Sequence, residues 1–311
     1  MGTTYTVRVV APPAGIDAHR LRTLIEEELR HVDAAMSAYR PDSEVSRFNA
    51  NASTDWFAVS PELAHVVAAA LEVSEASGGA FDVTIAPLVS GWGFGPNAEP
   101  DMPAVEDAAR ARAHEHVGFD KLAVRLDPPA LRKVDPALAI DLNGIAPGYA
   151  VDRIASQLEA AGAERYLIDI GGEIRVRGAN VAGRPWRVAV ERPAAGAPRA
   201  YAALELREGA VATSGDYRQY VEREGVRASH TIDPRTGRPI PHTFNSVVVL
   251  HAQAMYADAW ATAFNVLGAE TGRELAAQRG MAVLFIANTG ETLVSTMTPA
   301  FEQTSGFRLL D

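Results

Sequence analysis

Short apolar segments, most of them rich in β-branched and aromatic residues, follow one another through the second half of the chain, and this succession constrains the fold more than any other feature. They lie at residues 166–170, 174–176, 186–190, 202–206 and 246–250, separated by turn-forming stretches. Strands so short and so directly joined pair antiparallel, because a parallel neighbour needs a crossover of a dozen or so residues. An opening strand over 4–10 stops at Pro12-Pro13. Asp17 is a candidate cap for a helix in which Leu21, Leu24, Ile25, Leu29, Val32 and Met36 share one face. Ser60-Pro61-Glu62 opens a second helix with Leu63, Val66, Val67, Ala70 and Leu71 as its buried stripe, and Gly78-Gly79 closes it. Residues 149–161 form another, stopped by Gly162, and helices at 257–267 and 270–279 precede two final strands. The polar, Ala-rich stretch 99–116 reads as a loop followed by a short helix, and 192–199 as an exposed excursion within a hairpin. No repeat or heptad seam supports a solenoid or coiled coil. The pattern is α+β, with helices between runs of largely antiparallel strands.

With 311 residues, 47% hydrophobic and 22% charged, the chain can bury a large core as one domain or two. The formal net charge of -10 argues against nucleic-acid binding, which needs clustered Lys and Arg. Any phosphate ligand must be held locally, by backbone N–H groups, a few placed Arg side chains or a metal ion. There is no Cys, so disulfides, thiolate metal sites and cysteine nucleophiles are excluded together. No run reaches the roughly 20 apolar residues of a membrane span, and the N-terminus shows no signal pattern.

Asp258 and Thr262 stand at i and i+4 on one helix face, a small half-site for a hard cation such as magnesium. From the residues alone the plainer reading of this pair, a first-turn carboxylate favoured by the helix dipole beside a packing Thr, is the commoner one, since such pairs are common on helices. Ile140-Asp141-Leu142-Asn143-Gly144-Ile145-Ala146-Pro147-Gly148-Tyr149 reads as an apolar strand entering a Gly-broken turn and then a helix. N–H groups at the start of that helix suit a pyrophosphate, and carbonyls of the turn suit a metal. A plain connecting turn has the same pattern. Gly171-Gly172 beside Glu173 marks either a close approach or a turn. Gly91-Trp92-Gly93-Phe94-Gly95 lacks the spacing and context of a dinucleotide fingerprint. Among the eight His residues, His230 has a suggestive setting, with Ser229, Asp233 and Arg235 near it in sequence, and imidazole is suited to take a proton from a hydroxyl. It could equally pair with Asp233 to stiffen a turn. Nucleophile-elbow, zinc-helix and Walker-type motifs are missing.

Taken in order, these segments resemble the ApbE family, the FAD:protein FMN transferases. The resemblance runs from Met1-Gly2-Thr3-Thr4-Tyr5 through Met36-Ser37-Ala38-Tyr39-Arg40-Pro41-Asp42-Ser43-Glu44-Val45-Ser46-Arg47-Phe48-Asn49 and Gly79-Ala80-Phe81-Asp82-Val83-Thr84. It continues through 141–152, Ile170-Gly171-Gly172-Glu173, Ala212-Thr213-Ser214-Gly215-Asp216-Tyr217, the His230 segment and the helix of Asp258 and Thr262, so it covers nearly the whole chain. It implies a single α+β domain over residues 1–311 of two packed, tandem T-fold-related halves, with FAD in the cleft between them. It also implies Mg2+ held by Asp258, Thr262 and a carbonyl of the 144–146 turn, taken as Ala146. Met1, Tyr39, Asp141 and Glu173 would line the flavin or adenine pocket, Ser229 and His230 would lie beside the pyrophosphate, and His230 and Asp258 would be catalytic. The implied reaction joins FMN through a phosphoester to a Thr or Ser of a target protein and releases AMP. Acceptors of this kind belong to redox-driven membrane complexes or flavin reductases. An FAD pyrophosphatase and a non-catalytic FAD-storage protein are the alternatives. Many relatives carry Lys where this chain has Pro147 and Gly where it has Asn143. Family members are often exported lipoproteins, so an extracytoplasmic, periplasmic and membrane-anchored protein is expected, with the cytoplasm as the alternative.

Overall fold

The computed structural model describes residues 2–13, 15–96, 107–193, 199–215, 220–223, 226–229, 231–241, 246–288, 292–304 and 306–310. In chain order the elements begin β1 (Tyr5–Val9), α1 (Ala18–Met36), α2 (Glu44–Ala50), β2 (Phe57–Ala58), α3 (Pro61–Ala76), α4 (Ala86–Gly91), α5 (Asp107–Glu115), β3 (Leu122–Leu126) and β4 (Pro129–Lys133). There follow α6 (Ala146–Ala160), β5 (Tyr166–Ile170), β6 (Glu173–Arg177), β7 (Trp186–Glu191), β8 (Ala200–Leu206), β9 (Glu208–Gly215), β10 (Tyr220–Arg223), β11 (Val226–Ser229), β12 (Ile232–Asp233) and β13 (Arg238–Pro239). The chain closes with β14 (Ser246–His251), α7 (Ala254–Gln278), β15 (Ala282–Asn288), β16 (Leu293–Met297), α8 (Pro299–Thr304) and β17 (Arg308–Leu309). Every pairing among the described strands is antiparallel, and the fold is α+β. No helix among the described residues is long and apolar enough to cross a membrane.

The chain forms two compact units, one of Met1–Leu29, Pro147–Arg218 and His242–Asp311, the other of Arg30–Ala146 and Gln219–Pro241. The first is built on a seven-stranded sheet of order β1-β5-β6-β9-β14-β15-β16. Helix α7 packs across β6, β9, β14 and β15. Alternation along the strands divides the core. Val176, Val211, Val248, Leu284 and Ile286 cluster with Trp186, Val188 and Leu204 of the three-stranded sheet β17-β8-β7. Phe285 on β15 points instead to Phe264 of α7, with ring centroids 6.0 Å apart. Strands buried on both faces read in sequence as unbroken apolar runs, which is why 246–250 shows no polar alternation.

The second unit packs α2 and α3 with the small sheet β2-β4-β3, burying Val45, Phe48, Leu63, Val66, Val67 and Leu131. Sequence periodicity did not anticipate α2, a helix of 7 residues that shows no full apolar stripe. Its signal is Ser43, whose hydroxyl caps the helix by accepting the Ser46 N–H at 3.0 Å. Glu44 then accepts the N–H of Ser60, the residue that caps α3, at 2.7 Å.

The segment 140–142, expected as a strand, lies in no sheet. The Asn49 amide takes the place of a neighbouring strand, accepting from Ile140 N at 2.8 Å and donating to Ile140 O at 2.9 Å. Asp141 N donates to Val83 O at 2.7 Å, so the backbone is satisfied without a ladder. Helix α6 starts three residues earlier than expected because Pro147 is accommodated in a first helical turn, where its missing N–H costs nothing. The two expected late helices are the two halves of α7, which meet at a non-helical break at Gly268 (φ 76°, ψ 173°).

Asp82 and Thr84 also serve the scaffold. Asp82 accepts from Thr84 N and Oγ1 at 2.8 and 2.7 Å and from Phe119 N at 2.8 Å, and Thr84 Oγ1 accepts Gly118 N at 2.8 Å. Burial raises the Asp82 carboxyl pKa while these bonds pull it back. Asp82→Ala strands buried donors, so the unfolding free energy in a urea titration should fall by about 2 kcal/mol. Asp82→Asn should recover less than half of that loss, because its NH2 faces either Phe119 N–H or Thr84. An Asn variant as stable as wild type would refute the network's role.

Candidate functional site

In the first unit α6 and α7 meet at their starts with no side chain between them. A Cβ on Gly148 would stand 2.3 Å from Ala254 O and 2.8 Å from Met255 Cα, so only glycine permits the contact. At this distance Gly148 N donates to Asp258 Oδ2 at 3.0 Å. The helix start expected to receive a ligand anion therefore holds one of the chain's own carboxylates. The remaining early donors offer nothing else, since Ala146 N donates to Leu142 O at 2.8 Å and Pro147 has no N–H.

Asp258 is the fifth residue of α7, one turn beyond the first, so the helix-dipole explanation of a first-turn carboxylate loses its basis. Thr262 follows one turn later on the same face. Burial pushes the Asp258 carboxyl up to about 7, against the pull of the Gly148 N–H. Glu173 opens β6 directly after a two-residue turn in which Gly171 and Gly172 have φ of 67° and 116°, and Asp169 Oδ1 accepts Gly172 N at 3.2 Å. The glycine pair is thus a hairpin turn, and its effect is to aim Glu173. Desolvation first, and the charges of Asp258 and Asp169 next, raise the Glu173 pKa well above the ordinary carboxylate range. Asp258 and Glu173 therefore sit within electrostatic reach of each other and resist joint ionisation.

Asp258 and Thr262 offer oxygen donors on one face of α7, and Ala146 opens α6 two residues before Gly148. No three His, Cys, Asp or Glu side chains form a complete metal cage among the described residues. Such a partial set of hard donors fits magnesium, which keeps waters and ligand phosphates in its shell, and not zinc, which wants nitrogen or sulfur.

The second unit brings Tyr39 and Asp141 together. Tyr39 is 62% exposed, and partial desolvation with the charge of Asp141 raises its phenol pKa. Asp141 Oδ1 accepts Asn143 N at 2.8 Å, and burial raises its own pKa. Ser229 is buried, and its hydroxyl accepts Thr231 N at 3.0 Å. Asp233 is engaged by Arg235 through two side-chain bonds of 2.9 and 2.8 Å. Met1 and His230 lie outside the described residues.

Three residues of this arrangement had no expected role: Gly148, Asp152 and His251. A glycine in the first turn of a helix is unfavourable by propensity, and that was the available sign of a close approach. Asp152 carried no sign, because the backbone it serves lies 102 and 103 residues away, at Ala254 and Met255. His251 accepts the N–H of Gln253, the residue just before α7, at 3.0 Å through Nδ1, and its ring lies tilted against that of Tyr256 with centroids 5.3 Å apart.

Burial lowers the His251 pKa, outweighing the Gln253 backbone and the Asp152 charge. A His with a folded pKa below its unfolded value contributes fully above about pH 6.5 and loses that contribution as the pH falls from there through the lowered folded pKa. The guanidinium midpoint should therefore drop more steeply from pH 7 to 5 in wild type than in His251→Gln. Parallel slopes would contradict a neutral His251.

The family model described as "ApbE family" matches residues 1–285. An FAD:protein FMN transferase of Vibrio cholerae is 41% identical over 302 residues, covering 97% of this chain and 90% of that one. Its counterpart from Salmonella typhimurium is 40% identical over 97% and 86%. Among solved structures, a flavin transferase ApbE from Vibrio cholerae superposes with a TM-score of 0.89 at 40% identity, over 98% of this chain and 96% of that one. The apo flavinyl transferase ApbE of Pseudomonas stutzeri does so with 0.88 at 38%, over 98% and 94%. Likeness at this identity extends over both compact units, and the chain belongs to the ApbE family.

Proposed function

We propose that this chain is a magnesium-dependent FAD:protein FMN transferase that moves the FMN half of FAD onto a Thr or Ser hydroxyl of another protein and releases AMP. The observation that carries the magnesium part is the pair of crowded carboxylates, Asp258 and Glu173, whose raised pKa values mark a place where a cation would relieve repulsion. Family membership and the names of the relatives support the transferase part.

Asp258, Thr262 and the Ala146 carbonyl would hold magnesium. When bound, the ion supplies charge neutralisation at the pyrophosphate. Gly148 fixes one oxygen of Asp258, so the other is presented without reorganisation. Tyr39 offers an exposed aromatic face and Asp141 a hydrogen-bonding carboxyl for the rings of FAD, and Met1 and Glu173 are proposed as further contacts of FAD. Ser229 and His230 take the side of the pyrophosphate. The acceptor hydroxyl gives its proton to His230 as its oxygen bonds to the FMN phosphorus. The phosphorus–oxygen bond to AMP then breaks, and AMP leaves with the electron pair.

Asp258→Ala should lower turnover by a hundredfold or more, roughly the scale of a removed electrostatic stabiliser, while FAD still binds. Flavin fluorescence titration and AMP release in magnesium test this, and near-normal AMP release would remove Asp258 from the site. Intact mass of an acceptor protein after incubation with enzyme, FAD and magnesium tests the transfer itself. A gain equal to esterified FMN is expected. Free FMN and AMP without that gain would assign the chain to FAD hydrolysis instead.

A further inference from the structure

We propose that Asp152 is a positioning residue for the magnesium end of the site, acting by locking the first turn of α7 against α6 and β6. The inference rests on the functional reading above. Helix α7 has no cap of its own, since the Gln253 side chain makes no capping bond and no acidic residue lies in the first turn. Asp152 supplies the cap from another helix. Its Oδ1 accepts Ala254 N at 3.0 Å and its Oδ2 accepts Met255 N at 2.9 Å. Arg175 Nη1 donates to the same carboxylate at 2.5 Å, and the Asp152 side chain is only 13% exposed.

The two helices are therefore cross-linked twice, and the links are reciprocal. Gly148 of α6 reaches Asp258 of α7, and one turn further along α6 Asp152 reaches Ala254, one turn back from Asp258. The first link ties the start of α7 to α6 by a single hydrogen bond. The second fixes its rotation, and a slip of one residue, about 100° of helix, would carry Asp258 and Thr262 off the face they share. Arg175 extends the lock to β6, two residues from Glu173. One carboxylate thus touches the three elements that bear Ala146, the Asp258–Thr262 pair and Glu173. It touches no reacting atom, so any effect passes through Asp258.

The test compares Asp152→Asn with Asp82→Ala, which destabilises the other unit. An Asn at 152 keeps one acceptor, but its NH2 opposes either a backbone N–H of α7 or Arg175. Amide hydrogen exchange on the metal-free chain is the first readout. The Gly148 amide reports directly whether Asp258 is in place, and in Asp152→Asn it should exchange about tenfold faster or more, together with Ala254 and Met255. The magnesium concentration giving half-maximal AMP release should rise by about tenfold to a hundredfold, the usual scale for a lost outer-sphere partner. FAD affinity without magnesium should not change. Asp82→Ala should leave both readouts at wild-type values, and Asp152→Glu, which keeps the charge, should restore part of the magnesium response. Wild-type protection of Gly148 in Asp152→Asn, or a magnesium shift no larger than that of Asp82→Ala, would overturn the proposal. AMP release by wild type that needs no magnesium would instead overturn the functional reading, and Gly148 exchange would still decide whether Asp152 holds Asp258.

Discussion

The approach of two backbones at Gly148 is the constraint on which the candidate site depends. Helices that meet through ordinary side chains keep their axes about 8–10 Å apart, too far for an N–H at the start of one to bond a side chain in the second turn of the other without intervening groups. Removing one Cβ closes that distance, and the carboxylate of Asp258 then occupies the place at the start of α6 where an external anion would otherwise sit. The arrangement resolves two needs together. The helix start receives the negative charge its dipole favours, and Asp258 is held in one orientation at a buried position. What it does not resolve is the desolvation of that charge, which is why the carboxyl titrates near neutrality.

Holding two desolvated carboxylates close to each other has an energetic consequence for the whole first unit. Asp258 and Glu173 are each disfavoured as ions and disfavour each other, so this corner of the structure opposes folding. The opposing contribution comes from a sheet buried on both faces. Val247 and Val249 are packed as tightly as Val248, and Phe264 and Phe285 meet behind α7. A large apolar core of this kind stabilises enough to tolerate a few kcal/mol of electrostatic strain, and strain of this order is common where a ligand is to be bound.

The fold was legible in the sequence wherever burial imposed a period. The stripes of α1 and α3, the caps Asp17 and Ser60 and the hairpin of β5 and β6 all follow from local pattern. Prediction failed where one segment satisfied the backbone of a distant one. Residues 140–142 are apolar and extended like a strand, yet their partner is the amide of Asn49, 91 residues away, and not another strand. The start of α7 was placed three residues late for the same reason, because its capping carboxylate belongs to Asp152. The Asp258–Thr262 pair itself was visible as an i, i+4 spacing, but the spacing alone could not say whether Asp258 is a first-turn acid. Its burial and its place in the second turn of α7 remove that reading, and both require three dimensions.

Resemblance and chemistry also divide the motif residues differently. In the stretch from Tyr39 to Asn49, Ser43 caps α2, Glu44 ties down the cap of α3, Val45 and Phe48 fill the core, and Asn49 holds the peptide next to Asp141. In the stretch from Gly79 to Thr84, Asp82 and Thr84 bind the backbone at Gly118 and Phe119. Most of what makes the family recognisable is therefore the fastening of loops, and only Tyr39 in these stretches presents itself outward as a large exposed ring. This is the expected outcome for a site built from residues on separate elements. Each reacting group needs several others to hold its backbone within a fraction of an ångström, and those supporting groups leave the longer imprint on the sequence.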